Sequence, residues 1–338
     1  MTLSLRLALV FAAFMAFAAA SYRVVNTISI GGEGGWDYLF ADSANRRLYV
    51  SHGTEVDVLD LDSEKIAGKI AHTNGVHGIA VANDIGRGFV SDGRDNQVTV
   101  FDLKTLAEIS TVKTGQNPDG ILYDPFSRRV FTFNGRSGDA TAIDAQTGQV
   151  VGAIALGGKP EFPATDGMGD VYVNIEDKNE IVRLDPKALQ VKARWPLAPC
   201  DSPSGLAIDA ENRRLFSVCE NKIMTVVDAG TGKVITTLPT GAGTDAAAFD
   251  AKRKLAFASN GRDATLTIVQ EDSADKYHVL ANVKTERGAR TMALDQKTHK
   301  IYLATAEFGA APAQGQQKAP ARPPILPGTF KLLVVSPE

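Results

Sequence analysis

The chain has 338 residues, of which 44% are hydrophobic and 22% are charged, a composition typical of globular proteins and not of disordered ones. Its formal net charge is −3. No run of lysine or arginine forms a basic stripe, which argues against a general nucleic-acid-binding protein.

Residues 1–20 have the pattern of a secretory signal peptide. Arg6 precedes an apolar stretch over about residues 7–17, and an alanine-x-alanine pattern stands directly before Ser21. A membrane anchor is the alternative, but the apolar run is near the short end for a bilayer span and ends in a cleavage pattern. We therefore expect an exported mature chain, 21–338, that is periplasmic or secreted, monomeric and without a membrane span.

After this segment, one plan of short strands and tight turns recurs with a period of about 40 to 45 residues, which is the range of propeller repeats. Each copy holds short runs of alternating apolar and polar residues, separated by turns rich in Gly, Asn and Asp. The seven copies begin at Tyr38, Gly78, Gly120, Phe162, Gly205, Ala246 and Thr291. Four antiparallel strands in each of seven units predict an all-β fold, a single seven-bladed β-propeller.

The seventh copy is one strand short. It offers the strands "TMALD", "KIYLATA" and "FKLLVVS" before the chain stops at Glu338. The stretch "YRVVNTISIGG", which begins at Tyr22, matches the fourth strands of the other copies. We therefore expect the N-terminal strand to complete the last blade, which closes the ring and removes exposed strand edges.

These repeats resemble the YVTN-type, or YncE-like, β-propeller family over essentially the whole mature chain. The resemblance rests on "RLYVSHGTEVDVLDLDSEK" in the first blade, with echoes in "RVFTFNG", "DVYVNIEDKNEIVRLD" and "KIYLATA". Ser51 and His52 stand where the family signature has Thr and Asn, so the match is to the repeat and not to a functional subgroup. The resemblance implies a WD40-like repeat fold and leaves the chemistry open.

In such a fold, the residue before each inner strand points to the mouth of the central channel. These residues are all polar in this chain: Asp37, His77, Asp119, Glu161, Ser204, Asp245 and Arg290. Turns between the second and third strands should add further side chains to the same face, among them His52, Arg94, Arg136, Arg262 and Glu307. The alternative is that these residues only cap turns or are polar because loops are wet.

Four arginines at one mouth would suit a ligand that carries a carboxylate or a phosphate. The arginines and lysines in turns of the opposite face are interpreted as solvated turn residues. The leading hypothesis is thus an exported, non-catalytic propeller that binds a small anionic or peptide ligand, or a periplasmic protein partner, on the channel face.

An enzyme is the first alternative. His77 offers a general base, Glu161 and Asp245 offer carboxylates, and Arg290 could hold a substrate, as in a lactonase-like hydrolase or a lyase. The acidic side chains could also hold a divalent cation, although no contiguous metal or nucleophile motif occurs and no cofactor is predicted. A subunit of a periplasmic quinoprotein-type dehydrogenase is the second alternative.

Two further features concern the same face. Cys200 and Cys219 should lie close together in the fifth blade and form a disulfide in an oxidising compartment. Residues 309–329 form a Pro-rich insertion between the second and third strands of blade seven. This insertion is predicted to be a lid or a partner-binding arm that carries Lys318 and Arg322, or else a tolerated disordered insertion.

Overall fold

A computed structural model describes residues 21–310 and 323–338. Apart from one 3-10 turn at Glu176–Lys178, its regular elements are strands. In chain order they are β1 Tyr22–Ser29, β2 Leu39–Asp42, β3 Arg47–His52, β4 Glu55–Asp60, β5 Lys65–Ile70, β6 Val76–Ala82, β7 Arg87–Asp92, β8 Gln97–Asp102, β9 Glu108–Lys113, β10 Pro118–Asp124, β11 Arg129–Asn134, β12 Asp139–Asp144, β13 Val150–Ala155 and β14 Pro160–Thr165. The second half continues with β15 Val171–Ile175, β16 Glu180–Asp185, β17 Gln190–Pro196, β18 Pro203–Asp209, β19 Arg214–Cys219, β20 Ile223–Asp228, β21 Val234–Pro239, β22 Thr244–Asp250, β23 Leu255–Asn260, β24 Thr265–Ser273, β25 Lys276–Lys284, β26 Met292–Leu294, β27 Ile301–Thr305 and β28 Lys331–Pro337.

These strands form seven antiparallel sheets of four strands each, which confirms the predicted seven-bladed β-propeller. Blades 1 to 6 take consecutive strands, from β2-β3-β4-β5 through β22-β23-β24-β25. Blade 7 has the order β1-β28-β27-β26, so the N-terminal strand completes it as expected. Strand β1 runs antiparallel to β28 from the pair Tyr22 and Pro337 to the pair Ser29 and Lys331.

The core lies between blades, because each sheet is covered by a neighbour on both faces. The second strand of every blade therefore reads as a nearly continuous apolar run. At one equivalent position this strand holds an aromatic ring that is no more than 1% exposed: Tyr49, Phe89, Phe131, Tyr172, Phe216, Phe257 and Tyr302. The same large side chain thus fills the same inter-blade space seven times.

The turns after the third strands are fixed by aspartate side chains. Asp60 Oδ1 accepts hydrogen bonds from the backbone N–H and the hydroxyl of Ser63, both at 2.7 Å. Equivalent caps occur at Asp102, Asp144, Asp185 and Asp228. A side-chain oxygen that satisfies the turn's N–H groups explains why the sequence repeats aspartate there.

The interpretation of the opposite-face arginines as solvated turn residues holds for the exposed Arg128 and Arg213, but it is wrong for the arginines that begin the second strands. Arg129, at the start of β11, donates to the carbonyl oxygens of Pro186 at 2.6 Å and Lys187 at 3.0 Å in the next blade. Corresponding side chains make the same kind of bond to the following blade: Arg47, Arg87 and Arg214. These side chains clasp neighbouring blades together.

The predicted insertion of blade 7 does lie between β27 and β28. At its base, Gly309 N–H donates to Pro324 O at 2.8 Å and Leu326 N–H donates to Glu307 O at 2.9 Å. The lid residues Lys318 and Arg322, like the signal peptide at 1–20, lie outside the described residues. No helix in the described part of the chain is long and apolar enough to cross a membrane.

Candidate functional site

Six of the seven predicted mouth residues form a continuous series of contacts around the channel. His77 Nδ1 lies 2.6 Å from Asp37 Oδ2 and 3.7 Å from Asp119 Oδ1. Arg290 Nη1 lies 3.4 Å from Asp37 Oδ1 and is hydrogen-bonded to Asp245. These contacts bring the six side chains together at one end of the channel.

The series continues on the far side and then stops. Ser204 Oγ donates to Asp245 Oδ1 at 2.7 Å. Glu161 has no hydrogen bond to Asp119 or to Ser204 among residues 21–310 and 323–338. Glu161 instead accepts from Lys159, whose Nζ lies 2.7 Å from Oε1. We call the seven side chains the ring, and its open arc lies at Asp119 and Glu161.

Backbone irregularities turn most ring residues into the channel. In β6, Val76 pairs with Asp92 and Ile79 with Val90, so His77 falls within a register shift. The same shift contains four other ring residues: Asp119, Glu161, Ser204 and Asp245. The sequence had suggested that these residues come before the inner strands. The five residues instead lie inside those strands. A bulge changes the direction of its side chain, which explains how a strand residue reaches the mouth.

Two aromatic rings close the channel directly beneath the ring residues. Tyr38 comes from blade 1 and Phe162 from blade 4, and their ring centroids lie 4.2 Å apart. Three other blades have glycine at this position. An added Cβ at Gly120 would lie 2.7 Å from Glu161 O and 3.5 Å from the Tyr38 hydroxyl. We call Tyr38 and Phe162 the aromatic floor, and the ring and this floor together the cup.

Close packing also explains a glycine in the neighbouring turn. The Cβ of an alanine at position 93 would lie 2.6 Å from both Cδ2 and Nε2 of His77. At Gly261 the same addition would lie 2.7 Å from Arg290 Cβ. The "DGR" and "NGR" turns thus need glycine because ring side chains lie against them.

His77 carries a positive charge at neutral pH. Burial lowers the pKa of His77, but the hydrogen bond to Asp37 and the charges of Asp119 and Asp37 outweigh this effect and raise the pKa to about 9. The Arg290 side chain is 34% exposed. Partial burial lowers the pKa of its guanidinium, but the charges of Asp245 and Asp37 outweigh this effect and raise the pKa above the usual value. Both cations are thus held in place by ring carboxylates.

The open arc is short of positive charge. Burial, followed by the charge of Asp37, raises the pKa of Asp119 to about 6, although His77 opposes this. Burial, followed by the charge of Asp119, raises the pKa of Glu161 to about 8 despite the contact with Lys159. Half-buried carboxyl groups at one mouth keep their protons to higher pH when the cations beside them are shared with other carboxylates.

The predicted cluster of four guanidiniums is not formed. Arg290 lies in the ring, but it is occupied by Asp245, Asp37 and the carbonyl oxygen of Trp36, which accepts from Nη2 at 2.9 Å. Arg262 forms an ion pair with Glu220, and both side chains are largely exposed.

The remaining predicted arginines lie on exposed turns. Arg94 packs against Gly75, where an added Cβ would lie 2.5 Å from Arg94 Cγ. Arg136 is exposed. Neither makes a hydrogen bond with a ring residue in the described chain. Turn position alone could not tell an arginine that enters the channel from one that lies on the rim.

Two other predicted ligand residues lie away from the cup. His52 is buried, with Nδ1 2.9 Å from Asp57 Oδ2 and its ring 4.4 Å from the ring of Phe330. Glu307 has an exposed side chain, and its backbone N–H donates to Thr329 Oγ1 at 3.0 Å. His52 stabilises blade 1 and Glu307 anchors the base of the insertion.

The predicted disulfide is present. Cys200 and Cys219 are bonded, with their Cα atoms 5.5 Å apart. It ties the connection between β17 and β18 to the end of β19, four residues before the ring residue Ser204. The disulfide has a structural role, since both cysteines are no more than 3% exposed.

One group of ring residues has the spacing of a metal site. Ligand atoms of Asp37, His77 and Asp119 all lie within 4.8 Å of one another. A divalent cation at that point would have to replace the proton and the hydrogen bond that His77 shares with Asp37. The raised pKa of His77 makes that replacement costly at neutral pH.

Sequence analysis missed three residues of the cup. Lys159 stands two positions before Glu161 and bridges it to Glu176. Tyr38 and Phe162 directly follow ring residues, at a position where other repeats have glycine, alanine or threonine. Comparing the repeats at this position would have revealed the floor.

Comparison with known proteins supports the fold. No family model matches the sequence, and no curated protein matches it. The chain is similar to a solved structure of Kuenenia stuttgartiensis hydrazine synthase, with 18% identity and a TM-score of 0.69 over 80% of this chain and 92% of the other. It is also similar to a chain in the crystal structure of a mitotic checkpoint complex, with 14% identity and a TM-score of 0.74 over 90% and 95% of the two chains. At these identities the likeness shows the propeller fold with its WD40-like repeat architecture.

Proposed function

We propose that this protein is an exported, non-catalytic propeller of the YVTN type whose cup binds a cationic group of a peptide or of a protein partner. The observation that carries the proposal is the open arc at Asp119 and Glu161. There two half-buried carboxyl groups lie at the mouth with raised pKa values. The cations beside them are shared, since His77 is paired with Asp37 and Lys159 also contacts Glu176.

An ammonium group fits this arc better than a proton does. It would interact with both carboxylates at once, and buried charge-assisted hydrogen bonds are stronger than exposed ones. The aromatic floor beneath adds ring faces of Tyr38 and Phe162, which attract cations when the approach is from above the ring. A lysine side chain or a free N-terminus is thus the kind of group that the cup would accept.

The earlier hypothesis of a small anionic ligand is less well supported. Arg290 is the only arginine of the four candidates that lies in the ring, and its donors are already engaged by Asp245, Asp37 and Trp36. An anion would have to displace these partners and approach several carboxylates. Both steps cost free energy.

Hydrolysis with His77 as general base is also less well supported. Its pKa of about 9 means that the imidazole already carries a proton at neutral pH. A general base must be free to accept one. The role of His77 in the proposal is instead to hold Asp37 and Asp119 in position.

A protein partner agrees with one of the structural neighbours, which was solved as part of a complex. The export of the chain rests on the pattern of residues 1–20, and the YVTN-type assignment rests on the repeat sequences alone. The dehydrogenase-subunit alternative stays a prediction that purification with associated chains would test.

The test uses the mature chain 21–338 and a set of tripeptides that contain lysine, together with the same peptides acetylated on every amine. Isothermal titration should show binding of the free peptides, with acetylation and Glu161→Gln each weakening affinity about tenfold or more. Affinity should rise between pH 6 and 8, because the ligand competes with protons on Asp119 and Glu161.

The matched control is Glu220→Gln, which removes a carboxylate from the same face but outside the ring. It should leave affinity unchanged. Equal binding of acetylated and free peptides, or tighter binding of carboxylate ligands that lack an amine, would overturn the cationic-ligand proposal.

A further inference from the structure

The face opposite the cup carries an apolar arc. Each inner strand leads into a turn that begins with Asp or Asn, at Asp42, Asn83, Asp124, Asp166, Asp209, Asp250 and Asp295. Two residues after it, the seven blades have Ala44, Ile85, Phe126, Met168, Glu211, Lys252 and Lys297. Three consecutive blades, 2 to 4, therefore place a large apolar side chain at one equivalent turn position. Blades 5 to 7 place a charged one there. Equivalent turns of a propeller lie at the same level, so these side chains project from one face.

Two of the three members of the arc are among the most exposed large apolar side chains of the described residues. Phe126 is 41% exposed and Met168 is 63% exposed. They belong to adjacent turns that touch, since an added Cβ at Gly169 would lie 3.3 Å from the Phe126 ring. Ile85 is half-buried beside them. They form a protruding knob and not the wall of a groove.

Two exposed cations, Lys187 and Arg128, lie beside these apolar side chains, together with the carboxylates of Asp84 and Asp166. Lys187 Nζ lies 3.8 Å from the centroid of the Phe126 ring and is exposed. Arg128 is 61% exposed and makes only a long contact of 3.6 Å with Asp84. Farther along the same face, Lys252 and Lys297 are exposed at the equivalent turns of blades 6 and 7.

A cavity of about 380 Å³ opens beside the arc, between blades 1 and 2. Its lining includes the donors of Asn45, Arg47, Asn83 and Lys104, together with the carboxylate of Asp102. That carboxylate accepts from the backbone N–H groups of Lys104 and Thr105 and is thus already occupied. The amide groups of Asn45 and Asn83 donate to Asp42, and Arg47 donates to the carbonyl oxygens of Leu103 and Lys104, so these donors are engaged as well. The cavity is therefore not part of the docking surface.

We propose that this face docks on an anionic phospholipid surface, with Phe126 and Met168 inserted among the headgroups and Lys187 and Arg128 against the phosphates. Apolar side chains on protruding turns beside exposed cations are the pattern of interfacial membrane binding. An ammonium placed over the face of an aromatic ring lies at the boundary between apolar and charged surroundings. Docking in this way leaves the cup facing away from the membrane. The inference is independent of what the cup binds.

Sedimentation of the mature chain with vesicles tests the proposal. We expect binding to vesicles that contain phosphatidylglycerol, weak binding to pure phosphatidylcholine, and a decrease at high salt. The double variant Phe126→Ser/Met168→Ser should bind about tenfold more weakly, because most of the inserted apolar area is lost. Lys187→Gln should weaken binding less and reduce its dependence on salt.

The matched control is Ile109→Ser/Val150→Ser. Both side chains are 48% exposed, but they lie on the outer strands β9 and β13. This variant removes similar apolar exposure and should bind like the wild type. All four positions are exposed, so circular dichroism melts should confirm folding of each variant.

Three outcomes would overturn the proposal: no binding to vesicles with phosphatidylglycerol, binding that the Phe126/Met168 variant leaves unchanged, or an equal loss in the control variant. A fourth would redirect it. Self-association that depends on Phe126 and Met168, without vesicle binding, would identify the arc as a protein interface and would refute the membrane proposal.

Discussion

Arginine and acidic side chains occur on both faces of the propeller, but their contacts differ between the two faces. On the opposite face, Arg46 Nη1 donates to both carboxylate oxygens of buried Asp295 at 2.9 and 2.8 Å, across the junction of blades 1 and 7. On the cup face, the cations beside Asp119 and Glu161 are shared with other carboxylates. His77 lies closer to Asp37 than to Asp119, and Lys159 contacts Glu176 as well as Glu161. Charges are balanced where they hold blades together and left unbalanced where a ligand could complete them.

The difference shows that polar residues in the same repeat can have structural or functional roles, and that local partners distinguish the two. A buried ion pair adds little net stability to the folded protein, but removing one of its partners is strongly destabilising because the other charge stays buried. An unsatisfied pair shows itself through shifted pKa values instead. Variants of each kind of site should therefore differ in their effects on stability and on ligand binding.

Arg46→Ala should destabilise the protein by about 3 kcal/mol, because Asp295 is left buried without its cation. The Asp295 side chain is fully buried, although the Thr298 hydroxyl and the backbone N–H of Lys297 would still donate to it. Chemical denaturation measures the loss. The control Asp62→Asn breaks only the exposed arm of Arg46 and should cost less than about 1 kcal/mol. Equal effects of the two variants would contradict the clasp role.

Gly93→Ala should destabilise the protein by about 2 kcal/mol, since the new methyl group overlaps His77 unless the ring moves. Peptide binding at the cup should weaken as well, because Asp37 and Asp119 lose their common partner. The matched control is Gly86→Ala on the opposite face, where an added Cβ meets nothing within 4 Å. Gly86 has a φ of 69°, so that variant should lose stability through backbone strain but keep its peptide affinity. Unchanged binding in Gly93→Ala would show that the position of His77 is not important for the cup.

The thermal midpoint of the ligand-free protein should fall as pH rises from about 5 to 9. The pKa of Glu161 is raised from 4.5 to about 8 on folding, so the folded state binds this proton more tightly, and that advantage is lost as pH rises through this range. His77 acts in the same direction, because its pKa is raised from 6.5 to about 9. Stability from its partners is complete below pH 6.5 and is lost as pH rises through about 9.

Glu161→Gln should make this decline shallower, since glutamine cannot titrate, and should raise the midpoint most at about pH 8. Differential scanning calorimetry across the pH range measures both effects. A decline as steep as that of the wild type would place the proton uptake elsewhere. Glu220→Gln again serves as the control on the same face.

Arg262→Gln should have the smallest effect, within about 0.5 kcal/mol of wild-type stability, because its ion pair with Glu220 is largely exposed. Peptide affinity should also stay within about twofold. A large loss of affinity would restore the hypothesis that rim arginines contribute to the site.

Much of the architecture could be predicted because it repeats. Period and alternation gave seven blades of four strands, the closure by β1 and the mouth positions of Asp37, His77 and Asp245. The disulfide followed from its place within one repeat. Residues that break the repeat were harder to interpret: His52 and Arg94 occupy equivalent turns, yet one is buried against Phe330 and the other lies exposed over Gly75.

The repeat pattern of the sequence was sufficient to predict the fold and to predict which residues lie around the channel mouth. Strand periodicity and turn chemistry are local properties, and seven copies of the same local pattern admit one closed arrangement. Which charges are paired depends on the tertiary structure. Whether Arg290 meets Asp245, and whether Asp119 and Glu161 share their cations with other carboxylates, depends on distances between strands and blades that the local pattern does not fix. The floor formed by Tyr38 and Phe162 has the same origin, since its two rings come from blades on opposite sides of the channel.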